Sequence, residues 1–464
     1  MDKSDLKISL KEKLGYASGD FASNLFWQTF MYFLPIFYTD VFGLPTAAAG
    51  LMFGITRIWD AVNDPLMGML ADRTSSRWGR FRPYLLWMAI PFGVIGVLAF
   101  TTPDFNTSGK IVYAYVTYTL MMMVYTAINI PYSALMGVLS PNSAERTSVS
   151  SIRFAFAYAA GLFITAFNNY FVEIFGKDND ARGYQYTISL YAVIAVVAFL
   201  IAFLSTKERV EPTIEKRTAV SKDLKDLLTN GPWLILLATG IFTIFYVSIR
   251  NGAIAYYFKY FVETKKWELN IFNLNLKIGL ASSFMVIGTV AGIIGTVLVK
   301  KFSDITGKKK GYLILMALSS VFTVLFYFLK PTQICLMFVF QVLISFFMSP
   351  TAALVWAMYA DTADYSEWKN GTRATGLVFS ASTMAQKFGW SLAGVITMWL
   401  LASFGYQANQ IQTSESITGI KLLISIIPAI GSILCSLVIL FYTIDEKMVK
   451  SIQDSLEFKR KKTE

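Results

Sequence analysis

The chain has 464 residues, 55% of them hydrophobic and 16% aromatic, with 15% charged and a mean hydropathy of +0.51. A soluble domain carries about 25% charged residues, so the composition excludes an ordinary soluble protein and leaves a polytopic membrane protein. The formal charge of +11 would suit a nucleic-acid partner, but its distribution along the chain excludes that as well.

The first thirteen residues, "MDKSDLKISLKEK", are polar and basic. They lack an apolar core followed by a small-residue cleavage site and read as a cytosolic tail. Apolar runs of about 20 residues then predict twelve membrane helices. Six fall in the first half, near 16–39, 45–71, 84–102, 110–139, 152–174 and 185–205. Six more follow near 233–262, 273–299, 312–329, 333–359, 377–404 and 417–443. The charged stretch 205–230 reads as a linker ending in an amphipathic helix. The expected organisation is a six-helix bundle over 1–204, the linker, a second bundle over 231–445 and a basic tail over 446–464.

The basic residues sort by loop. "DRTSSRWGRFRP" after span two has four Arg, the linker has six Lys or Arg, "KKFSDITGKKKG" after span eight has five Lys, and the tail has six. The alternate loops 40–45, 102–110 and 402–416 hold one Lys among them. By the positive-inside rule both termini and the linker are cytoplasmic, in a multi-pass cell-membrane protein. The excess positive charge is topology, not a nucleic-acid surface. "ADRTSSRWGRFRPY" and "FSDITGKKKGY" also occupy matching places in the two halves, as "SPNSAERTSVSSIR" and "ADYSEWKNGTRATG" do more loosely. Two six-span halves with parallel repeats describe the all-α major facilitator architecture. Its helix-end Asp beside a basic loop would latch neighbouring helices.

Span two contains "RIWDAVNDPLMG", residues 57–68. Arg57, Asp60 and Asp64 in an apolar segment cost roughly 8–10 kcal/mol before partners are counted. Asp60 and Asp64 are four apart with Asn63 between, so all three share a helix face with Arg57 one turn earlier. Two such carboxylates cannot both stay ionised in low dielectric without a cation. One reading is a proton or a hard metal ion such as Na⁺ in an all-oxygen site. The other is a structural salt bridge of Arg57 with Asp60. Pro65 should loosen the helix there. There is no histidine, so proton coupling would run through carboxylates. Cys335 and Cys435 read as two buried thiols in apolar runs.

Further polar residues fall in other spans. Asp20, Asn24 and Gln28 recur every fourth residue in span one, beside Trp27. Tyr125, Thr126 and Asn129 lie in span four before a kinking Pro131. Arg153 opens span five, Arg250 and Asn251 sit mid-span in span seven, and Lys387 lies deep in span eleven. Amides, aromatics and a few fixed charges facing one cavity are what a sugar needs, because hydroxyls take paired donors and acceptors and pyranose faces stack on rings. For single amides an interhelical hydrogen bond explains them equally well.

At "YTDVFGL", "RIWDAVNDPLMG", "SRWGRFRPY", "YTAINIPYSAL" and "ADTADYSEWKNGTR" the chain resembles the glycoside–pentoside–hexuronide:cation symporters, the melibiose-permease-like branch of the major facilitator superfamily. The resemblance runs from about residue 11 to the tail. It implies sugar uptake driven by Na⁺ or H⁺, with no other cofactor, in a functional monomer embedded in the bilayer. It implies a cation site at Asp60, Asn63, Asp64 and Thr126. It places sugar contacts at Arg153 and neighbouring cavity positions at Tyr125 and Thr383, with Lys387 joining the two regions. Asn24, Trp27 and Asn129 complete the expected substrate set, and Asp20, Gln28, Arg57, Arg250 and Asn251 are additional cavity candidates. The chain departs from galactoside carriers of the family at Asn129 and Ser133, where those have an aspartate and a tryptophan, so galactoside specificity does not carry over. An amphiphile or lysolipid carrier of the same fold is the runner-up, and a non-transporting membrane sensor a third reading. An enzyme is not expected, for want of a histidine-containing catalytic cluster or a cytosolic domain. The sugar and the choice between Na⁺ and H⁺ stay open.

Overall fold

The computed structural model describes residues 7–177, 179–210, 220–262, 269–271, 274–276, 279–371, 374–407 and 410–461, with backbone alone at 46–47, 57–58, 60–62, 220–223, 269–271, 274–276, 391 and 460–461. Among them, eight helices are long and apolar enough to cross a membrane. They are spans four to six (Thr107–Leu135, Ser143–Gly176, Asp180–Ser205), seven to ten (Gly231–Phe261, Leu280–Thr306, Lys308–Phe328, Ile334–Asn370) and twelve (Ser414–Leu440). Four further stretches complete the twelve. Span one is Leu10–Tyr32, continued by the turn Leu34–Ile36 and a π-helical turn Phe37–Val41. Span two is Thr46–Arg73, span three Arg82–Trp87 with Ala89–Ala99, and span eleven Thr375–Ser403.

Proline explains where spans break. The helix is interrupted at Phe33, Met88 and Ser425, two or three residues before Pro35, Pro91 and Pro428. Each of these prolines lacks the N–H that would bond the carbonyl four residues back. Pro65, Pro131 and Pro350 instead lie inside continuous helices. Neither Pro65, where loosening is expected, nor Pro131, where a kink is expected, interrupts its helix, since neighbouring spans can re-satisfy the freed carbonyl. Span eight also differs from expectation. A two-stranded hairpin, Leu269–Ile271 with Leu274–Leu276, occupies its predicted start, and the helix begins at Leu280 behind Gly279. Both thiols are free, but Cys335 is exposed and only Cys435 buried. In a membrane protein an apolar run faces lipid as readily as protein.

The chain packs as two compact units. Unit 1 holds 1–230, 359–384 and 449–464; unit 2 holds 231–358 and 385–448. In unit 1, span one packs against spans five and six, span two against span four, and span three against spans four and six. Tyr16 and Tyr132 clamp spans one and four together. Each hydroxyl donates to the other's backbone carbonyl, at 2.9 and 2.8 Å, and the rings stack 4.6 Å apart. The residues after span six strap this unit. Glu208 accepts the backbone N–H groups of Arg80, Phe81 and Arg82 at 2.9, 2.8 and 2.9 Å. Gly79, at φ +105°, admits that carboxylate where a Cβ would collide with it. Arg209 forks onto Glu12 at 2.7 and 2.8 Å. The helix Glu446–Lys461 turns Val449, Ile452 and Leu456 inward, and Gln453 donates to the Pro141 carbonyl at 2.7 Å.

In unit 2, span seven packs on span twelve, which also carries span nine. Spans eight and ten meet along Gly288, Gly292 and Gly295. A Cβ at these positions would run into Gln341, Ser349 and the Phe346 carbonyl respectively. Small residues at this spacing let two membrane helices approach closely.

Candidate functional site

Unit 1 contains most of the expected residues. Asp64 is fully buried, and its Oδ1 accepts the Thr126 hydroxyl at 2.9 Å. Spans two and four thus bring together two members of the expected cation set, 62 residues apart. Asn63 is half-buried beside them on the same helix. Asp60 and Arg57 lie on that helix too, and their side chains are outside the described residues.

One residue before Thr126, the Tyr125 ring faces Trp27 of span one at 5.4 Å, tilted by 33°. Asn24 and Asn129 flank this pair. Each donates its amide to the carbonyl one helical turn back, Asp20 and Tyr125, at 2.9 and 3.1 Å. Asn24, Trp27, Gln28, Tyr125 and Asn129 are all half-buried, which leaves part of each accessible. Gln28 lies over Gly161 of span five.

Asp20 and Arg153 form a buried ion pair. Arg153 Nε donates to Asp20 Oδ2 at 3.1 Å, its Nη2 donates to the Ser133 hydroxyl at 3.2 Å, and the guanidinium lies 5.1 Å from the centre of the Tyr132 ring. The sequence singles out both ionic residues without pairing them. An acceptor and a five-donor fork held side by side on tyrosine can bind hydroxyls from either partner.

Thr383 is half-buried and donates to the Phe379 carbonyl at 2.9 Å. Lys387 is half-buried on span eleven, in unit 2. Asn251 is exposed on span seven. Arg250 is buried inside unit 2, donating to Gln341 Oε1 at 2.7 Å, with Phe284 and Phe326 rings at 5.9 and 5.7 Å.

A second polar cluster in unit 1 was not among the expected site residues. Arg146 is fully buried and pairs with Asp361 at 2.8 Å and with Asp364, both at the end of span ten. Ser143 donates to the same Asp361 at 2.6 Å. Beside it, Asp72 at the end of span two accepts the N–H groups of Gly376 and Leu377 at 2.7 and 3.0 Å. It caps span eleven, where the helix dipole favours an anion. Gly68 and Gly376 allow this contact: a Cβ on Gly68 would meet Ser380, and one on Gly376 the Gly68 carbonyl. The sequence signal is Asp361 and Asp364 at i and i+3, one face of a helix end, as for the pair in span two.

Residues 15–446 match the family model described as MFS/sugar transport protein. A putative glycoside/cation symporter of Escherichia coli (strain K12), YagG, is 36% identical over 455 residues, covering 97% of this chain and 95% of that protein. The isoprimeverose transporter of Lactiplantibacillus pentosus is 33% identical over 454 residues, covering 96% and 91%. Among solved structures, a variant of the E. coli fucose:proton symporter FucP superposes with a TM-score of 0.66 at 13% identity, over 93% of this chain and 98% of that one. That last likeness speaks for the fold.

Proposed function

The chain belongs to the MFS/sugar transport protein family, and on that premise we propose that it is a secondary active sugar:cation symporter of the inner membrane, working by alternating access. It is a transporter rather than an enzyme. The observation that carries the reading is the adjacency of Tyr125 and Thr126. One helical step separates a residue facing Trp27, on the half-buried amide and aromatic wall, from the residue bonded to the buried Asp64 carboxylate. Ordering span four for a sugar therefore orders a ligand for the cation, and by linkage each raises the other's affinity.

In this reading Asp60, Asn63, Asp64 and Thr126 take the coupling cation, Na⁺ or H⁺. Asn24, Trp27, Tyr125, Asn129 and the Asp20–Arg153 pair take a glycoside, pentoside or hexuronide, with Thr383 and Lys387 contributing from span eleven. Gln28, Arg57, Arg250 and Asn251 are lesser candidates. The halves 1–204 and 231–445, joined by 205–230 and followed by the tail 446–464, are the bodies that rock, with both termini in the cytoplasm. The Arg146–Asp361/Asp364 and Asp72 contacts hold the ends of spans ten and eleven to the first six helices. They must open for release on that side.

The test is charge movement in proteoliposomes containing the purified protein, with a panel of pentosides, hexosides and hexuronides, each with and without Na⁺. A sugar-induced current strengthened by Na⁺ at fixed pH establishes Na⁺ coupling, and one that follows pH alone establishes H⁺. Silence across the panel would overturn the sugar reading.

A further inference from the structure

Outside the transport path, unit 1 carries an apolar groove of about 530 Å³ between the beginning of span one, span five and the end of span six. Leu10, Leu14, Phe156 and Ile201 line it, with Gly15 and Ser205 at its floor and Lys11 at its edge. The floor is narrow because Gly15 has no side chain: a Cβ there would run into the Ser205 hydroxyl, so spans one and six touch. The walls are left uncovered. Leu10, Leu14 and Ile201 are 64%, 41% and 46% exposed.

Charge at the rim identifies the occupant. Glu12, the carboxylate next to Lys11 in the chain, is committed to Arg209 and to the Lys207 backbone N–H at 3.2 Å. Lys11, at the groove's edge, and Lys207, two residues beyond Ser205 of its floor, are both exposed, and neither makes an ion pair among the described residues. This end of span one lies on the side of the basic loops, where the bilayer leaflet is rich in anionic lipid. An acyl-sized apolar slot under two uncommitted lysines matches one amphiphile of opposite charge.

We propose that this groove is a specific site for an anionic phospholipid, with one acyl chain between Leu14, Phe156 and Ile201 and the head-group phosphate between Lys11 and Lys207. The experiment is native mass spectrometry of the full-length protein in detergent, titrated with phosphatidylglycerol or phosphatidylcholine. The wild type should retain one phosphatidylglycerol in preference. The double variant Lys11→Gln/Lys207→Gln should weaken that retention by roughly tenfold or more. Ile201→Trp, which fills the slot and leaves both lysines, should lose it as well. Equal retention of the two lipids by the wild type would overturn the proposal, as would phosphatidylglycerol retention that both variants leave intact. A dimer mass that persists after delipidation and disappears in Ile201→Trp would overturn it in favour of a second copy of the chain.

Discussion

Asp64 illustrates how one residue can be tested without disturbing the fold. Its carboxylate accepts the Thr126 hydroxyl at 2.9 Å. An amide oxygen accepts the same bond, so Asp64→Asn keeps this contact between spans two and four while removing the charge. Sugar accumulation against a gradient should fall to simple equilibration, while exchange of labelled for unlabelled sugar continues. Both are read in membrane vesicles, and undiminished accumulation would remove Asp64 from the cation site. Thr126→Ala removes a donor to a carboxylate, a bond worth about 1.5–3 kcal/mol. It should raise the cation concentration for half-maximal uptake by tenfold or more. Asp64 was legible in the sequence because a charge in an apolar run needs a reason. Its bond to Thr126 came only from family resemblance, since a pairing across 62 residues leaves no local pattern. The Asp20–Arg153 pair is a sharper instance. Both residues stand out as charges within apolar spans, yet at a separation of 133 residues nothing in the chain connects them.

Helices show the same division. Spans were visible as apolar runs, and their ends were not. Span ten was expected to stop near 359 where "ADTADYSEW" turns polar, yet the helix continues to Asn370. Hydropathy falls there because Asp361 and Asp364 are charged, but Arg146 neutralises them in place and the helix has no reason to end. Span eleven starts where its first N–H groups find a partner, the Asp72 carboxylate. Asp72→Asn keeps an acceptor oxygen and loses the interaction of charge with the helix dipole, about 0.3–1 kcal/mol at an exposed end and up to about 2 when partly buried. Asp72→Ala leaves the two N–H groups without that partner and should cost more. Thermal unfolding of the purified protein should rank wild type above Asp72→Asn above Asp72→Ala. Equal midpoints for all three would mean that the cap contributes nothing to holding span eleven.

For the whole molecule, spans ten and eleven have a particular place, because each passes from one compact unit to the other within a continuous helix, at 358–359 and at 384–385. Whatever holds their ends to the first six helices controls when those ends can leave. Arg146 is the centre of that hold, fully buried against Asp361, Asp364 and the Ser140 carbonyl. Removing one partner of such a buried pair costs about 3–5 kcal/mol, because the charges left behind stay desolvated. Arg146→Gln leaves two buried carboxylates with that deficit, and the cheapest relief is to expose them to water by releasing the end of span ten. Ser150, four residues and about one turn beyond Arg146 on the same face of span five, is fully buried and reports on this opening. With only two native cysteines, Cys335→Ser and Cys435→Ser give a clean background for Ser150→Cys. In it, a membrane-impermeant thiol reagent applied from the side of the basic loops should label slowly when Arg146 is present and several-fold faster in Arg146→Gln. Saturating sugar and coupling cation should also speed labelling with Arg146 intact, since the proposed cycle opens the same contact. Equal slow labelling in both backgrounds, with and without substrate, would make the cluster a permanent structural brace, and the opening on that side would then have to lie elsewhere along spans ten and eleven.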